Sequence, residues 1–184
     1  MTSLTDRERL LELVKTRALE VRKVVLSSGR TSDYYVDCKR VTLDAEGAYL
    51  TAKLMLEMVN PKASVVAGLT LGADPIVSSM AVLSHVQGKG IPALIIRKDP
   101  KKHGTRRFIE GPSLPEGSEV VVVDDVVTSG ASIIRSAERL IAEGFKPIQT
   151  LAILDRQEGG REALEAAGYQ LEAILTKEDL KING

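Results

Sequence analysis

Apolar residues recur at helical spacing near the start of the chain, forming a stripe made of Leu10, Leu11, Val14 and Ala18. Thr5 and Glu8 precede the stripe at the spacing of a capping box, in which each side chain bonds to the backbone N–H of the other residue. A helix is therefore predicted to begin here. After a polar stretch, the segment YYVDCK (34–39) predicts a short strand.

Farther along the chain, predicted helices and strands alternate regularly. Helices are expected over 44–58 with its aspartate as the cap, over 75–86 with a proline in the first turn, and over 132–143 with a closing glycine. The apolar runs around these helices are SVVAG, PALIIR, EVVVVDD and IQTLAILD. Strands that are apolar on both faces indicate a parallel sheet covered by helices on both sides. The predicted fold class is α/β with an N-terminal addition.

Composition narrows the class of protein. With 184 residues and 43% hydrophobic content, the chain is expected to bury one core and to form a single domain. Its 25 basic residues balance 25 acidic ones, which gives no reason to expect a nucleic-acid or membrane-surface partner. No apolar run approaches a transmembrane span, and MTSLTDRERLLELVK lacks the apolar core of a signal peptide. Cys38 is the single cysteine, so a reducing cytoplasm is the expected setting.

Polar and charged residues of the types found in active sites fall at the ends of the predicted strands, where open parallel sheets bind their ligands. They are Thr70 to Asp74, Arg97-Lys98, Asp124-Asp125 and Asp155-Arg156. The loop TSGAS (128–132) then enters a helix, and its N–H groups and hydroxyls suit a phosphate monoester. A Walker lysine is missing, so a nucleoside-triphosphate loop is not expected.

The adjacent carboxylates Asp124 and Asp125 repel each other, so cations or hydroxyl groups are expected opposite them. Together with the phosphate loop they predict a sugar-phosphate site in which the aspartates bind ribose hydroxyls. The alternative is an ordinary strand-to-helix turn with solvated aspartates.

The segment VVVVDDVVTSGAS (120–132) resembles the phosphoribosyl-pyrophosphate motif of type I phosphoribosyltransferases. Three further segments narrow the resemblance to orotate phosphoribosyltransferases: SSGRTSDYYVDCKR, IIRKDPKKHGTRRFIEG and LDRQEGG. The similarity runs from about residue 25 to 160, with the motifs in the family's order. It implies a type I fold in one domain, 1–184. Its parts would be a helix-and-strand hood over about 1–45, a core over about 62–160, and a mobile catalytic loop over 99–115.

The resemblance also implies an activity. It is the transfer of ribose 5-phosphate from phosphoribosyl pyrophosphate to N1 of orotate, which gives orotidine 5′-monophosphate and diphosphate in pyrimidine synthesis. The implied enzyme is a homodimer whose catalytic loop closes over the partner subunit's site. Magnesium is the implied cofactor. Because the sequence shows no cluster of metal-ligand residues, magnesium is expected to arrive on the diphosphate, and no protein-made metal site is predicted.

The resemblance assigns site residues one by one. Those implied to bind phosphoribosyl pyrophosphate are Arg97, Lys98, Lys101, His103, Asp124, Asp125, Val126, Val127, Thr128, Ser129, Gly130, Ala131 and Ser132. Those implied to bind orotate are Thr128, Arg156, Tyr34 and Tyr35. The implied catalytic residues are Lys101, as the main cation, with Asp124 and Asp125. Cations aimed at a departing diphosphate lower the barrier, because charge develops there in the transition state.

Simpler interpretations of the same residues stay open. The basic segment RKDPKKHG is also typical of a solvated surface loop, and Lys102, Arg106 and Arg107 are assigned to that interpretation. Asp155 and Arg156 are also compatible with a strand-end ion pair. Neighbouring strand residues face opposite ways, so one of the two tyrosines is equally compatible with packing under the strand.

The chain departs from some relatives at two positions. Ser27 and Gly72 stand where those relatives carry lysines that contact anions, and backbone amides are expected to substitute. Two other functions also remain possible. A purine phosphoribosyltransferase would share the phosphate motif but would have no use for Arg156 against a carboxylate. A nucleic-acid-binding regulator would predict a basic face or an added helix-turn-helix.

Overall fold

In the computed structural model, residues 4–25, 31–99 and 108–182 are described, and they form two sheets with helices around the larger one. The strands are β1 (Leu19–Val25), β2 (Thr31–Val36), β3 (Val65–Leu69), β4 (Ala93–Ile96), β5 (Ile109–Glu110), β6 (Glu119–Val127), β7 (Lys146–Asp155) and β8 (Leu171–Thr176). The α-helices are α1 (Asp6–Leu13), α2 (Lys39–Thr42), α3 (Ala45–Met58), α4 (Asp74–Val86), α5 (Ala131–Ala142), α6 (Gly160–Ala166) and α7 (Lys177–Leu180).

The larger sheet has the strand order β5-β4-β3-β6-β7-β8. All neighbouring strands in it are parallel except β5, which pairs antiparallel with β4 at the edge. Side chains alternate between its two faces. Val121 and Val123 pack with residues of α1, α3 and α4, whereas Val120 and Val122 pack with residues of α5 and α6. The predicted α/β fold, a parallel sheet with helices on both faces, is confirmed apart from the antiparallel edge strand.

The N-terminal elements lie beside this sheet. Thr5 and Glu8 form the predicted capping box, and α1 continues through a π-helical turn, Val14–Ala18. β1 and β2 then pair antiparallel as a separate ribbon. The predicted strand YYVDCK is only partly right, because β2 ends at Val36 and Lys39 opens α2. The ribbon and α2 bring the N-terminal residues over the carboxyl end of the larger sheet.

The predicted helices of the core are confirmed within one or two residues. Asp44 caps α3 by accepting a hydrogen bond from the Gly47 N–H at 3.2 Å, and Pro75 lies in the first turn of α4. After α5, Gly144 adopts a positive φ of 84°, a conformation that glycine adopts without strain. None of the helices in the described ranges combines the length and the apolar run that a bilayer crossing requires.

Candidate active site

A cleft of about 570 Å³ opens at the carboxyl ends of β3, β4, β6 and β7, under the N-terminal ribbon. Its lining residues are Tyr35, Val36, Lys39, Leu69, Thr70, Leu71, Gly72, Lys98, Asp124, Asp125, Val126, Thr128, Ser132 and Arg156. The cleft has the size and the location in which α/β proteins bind small ligands. The structure therefore brings together residues from all four strand ends that the sequence singled out.

The two adjacent carboxylates lie on the floor of the cleft. The Asp125 N–H donates to Asp124 Oδ1 at 3.0 Å, and the Val126 N–H donates to Asp125 Oδ1 at 2.9 Å. Burial, and then the charge of Asp125, raises the pKa of Asp124 well above its ordinary range. Burial also raises the pKa of Asp125, although the charge of Lys39 opposes that shift. The pair is therefore poised to accept hydrogen bonds or a cation.

The phosphate loop between β6 and α5 is held from behind by the start of α6. Gly130 has a φ of 75°, and a Cβ there would lie 2.9 Å from the carbonyl oxygen of Gly160. A Cβ on Gly160 would lie 2.6 Å from Val127 Cγ1 and 2.8 Å from the Thr128 carbonyl oxygen. Such contacts leave no room for larger residues. Gly160, the last residue of LDRQEGG, thus fixes the shape of the loop that precedes α5.

Residues of the phosphate motif differ in their exposure. Val126, Thr128 and Ser132 line the cleft. Val127 and Gly130 are buried, and Ser129 and Ala131 are exposed at the N-terminus of α5. Free N–H groups at a helix N-terminus favour an anion. β6 also runs two residues beyond the predicted EVVVVDD, so the aspartates lie inside the strand rather than at its end.

Arg156 is buried on the far wall of the cleft with 2% of its surface exposed. Its Nη2 donates to Ser32 Oγ at 2.8 Å and lies 3.0 Å from Glu158 Oε1, and its guanidinium stacks 4.3 Å from the Tyr34 ring centroid. Asp155 instead pairs with Arg161 at 3.0 Å, so the alternative of an Asp155–Arg156 pair is wrong. Arg156 is thus a fixed cation that reaches the cleft.

The two tyrosines of β2 face opposite ways, as a strand requires. Tyr35 lines the cleft. Tyr34 is buried, its ring packs under Arg156, and its hydroxyl donates to Glu158 Oε1 at 3.3 Å. In this arrangement only Tyr35 is available to a ligand in the cleft, and Tyr34 orients Arg156.

Of the four basic residues predicted to meet the diphosphate, Lys98 lines the cleft. Arg97 is turned toward the sheet edge, where its Nη1 lies 3.1 Å from Glu110 Oε1. Lys101 and His103 lie outside the described residues.

Arg139, on α5, supports the strand end that carries these cations. Its guanidinium donates to the carbonyl oxygens of Arg97 and Lys98, the latter at 2.9 Å, and lies 4.2 Å from the Phe108 ring centroid. It therefore contacts the chain on both sides of residues 100–107. Nothing in the sequence distinguished this arginine from other surface arginines of an amphipathic helix.

The turn between β3 and α4 forms another wall of the cleft. Thr70 Oγ1 donates to Asp74 Oδ2 at 2.7 Å, and the Thr70–Leu71 peptide bond is cis. A Cβ on Gly72 would lie 2.6 Å from Asp125 Oδ1, so the main chain packs directly against that carboxylate. A side chain at this position would have to displace the Asp125 carboxylate.

Comparison with known proteins assigns the family. Residues 41–169 match the model of the phosphoribosyl transferase domain. The orotate phosphoribosyltransferase of Thermosynechococcus vestitus is 47% identical over 180 residues, which cover 97% of this chain and 95% of the relative. The orotate phosphoribosyltransferase of a Nostoc species is 45% identical over 177 residues, covering 96% and 86%. The chain belongs to the orotate phosphoribosyltransferases.

A solved member of the orotate phosphoribosyltransferases has the same fold. The Mycobacterium tuberculosis H37Rv enzyme, in a crystal structure with phosphoribosyl pyrophosphate, aligns with a TM-score of 0.80 at 36% identity and covers 97% of this chain. The family, the type I phosphoribosyltransferase fold and the pentosyltransferase class that the sequence motifs implied are thereby confirmed.

Proposed function

We propose that the chain transfers the ribose 5-phosphate of phosphoribosyl pyrophosphate to N1 of orotate, giving orotidine 5′-monophosphate and diphosphate in pyrimidine biosynthesis. The observation that carries the proposal is the single cleft shared by the phosphate loop, the buried carboxylate pair and Arg156. The two relatives at 45% and 47% identity, both orotate phosphoribosyltransferases, support the choice of base. The related enzyme solved with phosphoribosyl pyrophosphate supports the choice of donor.

The donor is bound through its 5-phosphate and its ribose. Thr128, Ser132 and the N-terminus of α5 receive the phosphate, where N–H groups and hydroxyls favour an anion. Asp124 and Asp125 accept hydrogen bonds from the ribose hydroxyls. As the bond from C1 to the diphosphate breaks, positive charge develops on the ribose, and the same carboxylates stabilise it.

The departing diphosphate is stabilised by cations. Lys98 faces the cleft from the end of β4, and Arg97, Lys101 and His103 are assigned to the same group by the family motif. Because the diphosphate gains charge as it leaves, cations lower the barrier more than they stabilise the unreacted donor. Lys101 is the main catalytic cation in this proposal.

The base is recognised by its carboxylate. Arg156 lines the same cleft as the carboxylate pair, and Ser32, Glu158 and Tyr34 hold it in one orientation. Thr128 and Tyr35 line the space beside it, and Tyr34 acts through Arg156. A purine base has no carboxylate to pair with Arg156, so it loses this charge-assisted contact and binds less well.

Arg156→Ala is expected to raise the Michaelis constant for orotate by about ten- to a hundredfold and that for phosphoribosyl pyrophosphate by less than threefold. The loss of a charge-assisted bond acts on one substrate alone. Steady-state kinetics with each substrate varied in turn measures the split. Arg17→Ala, which removes an exposed arginine paired with Asp44, is the control and should change neither constant. An equal increase in both Michaelis constants would instead indicate that Arg156 has a structural role.

Magnesium fits the carboxylates of this site. Asp124 and Asp125 supply the hard oxygen ligands it prefers, and burial raises the pKa of both groups, so a neighbouring cation is favourable. Among the described residues, no three His, Cys, Asp or Glu side chains gather into a metal-binding group. The aspartates would hold the ion together with oxygens of the donor and water. Bound magnesium supplies charge neutralisation at the diphosphate.

Titration calorimetry should therefore find weak binding of magnesium to the free protein and at least tenfold tighter binding when phosphoribosyl pyrophosphate is present. Asp33→Asn, which removes an exposed carboxylate on β2, should leave both results unchanged. A tight magnesium site in the protein without the donor would contradict the proposal.

A homodimer with shared active sites is part of the proposed function. Large apolar side chains on α3 and α4 are exposed to solvent in the single chain, namely Tyr49 (51%), Val82 (67%) and Val86 (75%). Exposed apolar surface of this kind is typical of subunit interfaces and supports an association of two copies. The catalytic loop of each copy would serve the site of the other. A cytoplasmic location and the lack of nucleic-acid and membrane partners stay predictions from the composition.

The reaction is tested by comparing bases at fixed phosphoribosyl pyrophosphate and magnesium. Orotate should be consumed, whereas uracil, adenine and hypoxanthine should react at least a hundredfold more slowly, because none carries a carboxylate for Arg156. Preference for a purine would favour the purine phosphoribosyltransferase instead.

A further inference from the structure

Lys39 lies on the wall of the cleft that faces the sheet. It follows β2 and opens the one-turn helix α2, directly after the fully buried Cys38. Its side chain retains 32% of its accessible surface and lines the same cleft as Gly72, Lys98 and Asp125. The packing of Cys38 fixes the direction in which the neighbouring lysine leaves the backbone. Lys39 is therefore a positioned cation of the site.

The charges around Lys39 keep it protonated. Its Nζ lies 2.6 Å from Asp37 Oδ1. Burial acts to lower the pKa of Lys39, but the bond to Asp37 and the charges of Asp37 and Asp125 outweigh it and raise that pKa. Lys39 also acts on Asp125. Burial raises the pKa of Asp125, and the charge of Lys39 is the largest effect that lowers it. The ammonium group thus lies within electrostatic reach of Asp125.

The facing turn has no cation of its own. Residues 70–74 read TLGAD, which contains neither lysine nor arginine. A Cβ on Gly72 would lie 2.6 Å from Asp125 Oδ1, so in this chain the turn meets the carboxylate with its main chain. Main-chain groups of this turn are open to the cleft through Thr70, Leu71 and Gly72. An anion bound to these main-chain groups therefore needs a positive charge from another element of the cleft. Lys39 supplies one.

We infer that Lys39 binds the diphosphate group of the donor, opposite the main chain of residues 70–72. The inference rests on the proposed transfer from phosphoribosyl pyrophosphate. An ammonium group has three N–H donors, so Lys39 keeps its bond to Asp37 and gives another to a phosphate oxygen. It supplies a positive charge that the glycine at position 72 does not. Its contact with the diphosphate is a binding role alongside Lys98, which lines the same cleft.

Lys39→Gln tests this role, with inorganic diphosphate and magnesium as the probe. Calorimetry should show affinity for magnesium diphosphate lowered at least tenfold, and the Michaelis constant for phosphoribosyl pyrophosphate raised by a similar factor. The Michaelis constant for orotate should change less than threefold. Lys39→Arg, which keeps the charge, should recover most of the affinity. Arg40→Gln is the matched control, because Arg40 is the next residue, also approaches Asp37 and does not line the cleft.

Unchanged diphosphate binding in Lys39→Gln, or an equal loss in Arg40→Gln, would overturn the inference. If Lys39→Gln unfolds, Lys39→Met, with a side chain of similar length and no charge, is measured in its place, and the Arg variant still has to bind diphosphate. Failure of the proposed function is a separate result. It would appear as wild-type protein that binds magnesium diphosphate through Lys39 but does not consume orotate.

Discussion

Asp125→Asn is expected to lower turnover of orotate by two to three orders of magnitude, which corresponds to about 3–4 kcal/mol of barrier. The carboxylate lies in the cleft beside Asp124, where burial strengthens its interaction with charge that develops on the ribose. Asparagine keeps the shape and a hydrogen-bonding oxygen but removes the charge. Steady-state turnover at saturating substrates measures the effect. Near-normal turnover of the variant would show that Asp125 is not a catalytic residue.

The same variant should fold at least as well as the wild type. Because burial raises the pKa of Asp124 and Asp125, ionisation of the pair costs stability as pH rises from the unfolded values toward the folded ones. Asp125→Asn should therefore raise the melting temperature at pH 8, and the gain should shrink as pH is lowered through the folded pKa values toward the ordinary aspartate range. Thermal melts across this range, with Asp33→Asn as the control, test the sign. A lower melting temperature at pH 8 would indicate a structural role.

Two inactive variants, Lys101→Ala and Asp125→Asn, should restore activity when their subunits are mixed. In a mixed dimer, the Lys101→Ala chain brings an intact Asp125 and receives an intact loop from its partner, so one of the two sites works. Random reassociation of equal amounts makes about half of the dimers mixed. Activity should therefore recover to roughly a quarter of the wild-type value.

The described residues on either side of 100–107 lie close together. The Arg97 N–H donates to the Phe108 carbonyl oxygen at 2.8 Å, so the two ends of the intervening segment meet. The mixing experiment requires dissociation of both variants together, reassociation and an orotate assay. Recovery no greater than the sum of the separate variants, with subunit exchange verified by mass, would refute shared sites.

Local pattern was enough to predict the core of the fold. Apolar runs such as EVVVVDD are buried on both faces, and such runs favour interior parallel strands irrespective of the rest of the chain. The N-terminal strand β1 was not predicted. Its sequence LEVRKVV mixes charged with apolar residues, and Val21 is 75% exposed, because the ribbon packs little of its surface. The two-residue strand β5 carries too few residues for any period to be recognised.

The candidate site was predictable where its residues are close in sequence. The phosphate loop and its two aspartates occupy one continuous segment, which resembles a family motif. The contact of Arg156 with Ser32 was not predictable, since it joins residues 124 positions apart. Lys39 was missed for a different reason. The sequence placed it in a strand, whereas β2 ends earlier and a helical turn directs the lysine toward the cleft.

One product measurement decides whether the proposed reaction takes place. Purified wild-type protein is incubated with orotate, phosphoribosyl pyrophosphate and magnesium, and the orotidine 5′-monophosphate and diphosphate formed are quantified against the orotate consumed. We expect one molecule of each product for every orotate lost, and at least a hundredfold less product from the Asp125→Asn protein. Unconsumed orotate in the presence of folded wild-type protein, or nucleotide formed only from adenine or hypoxanthine, would contradict the proposed function.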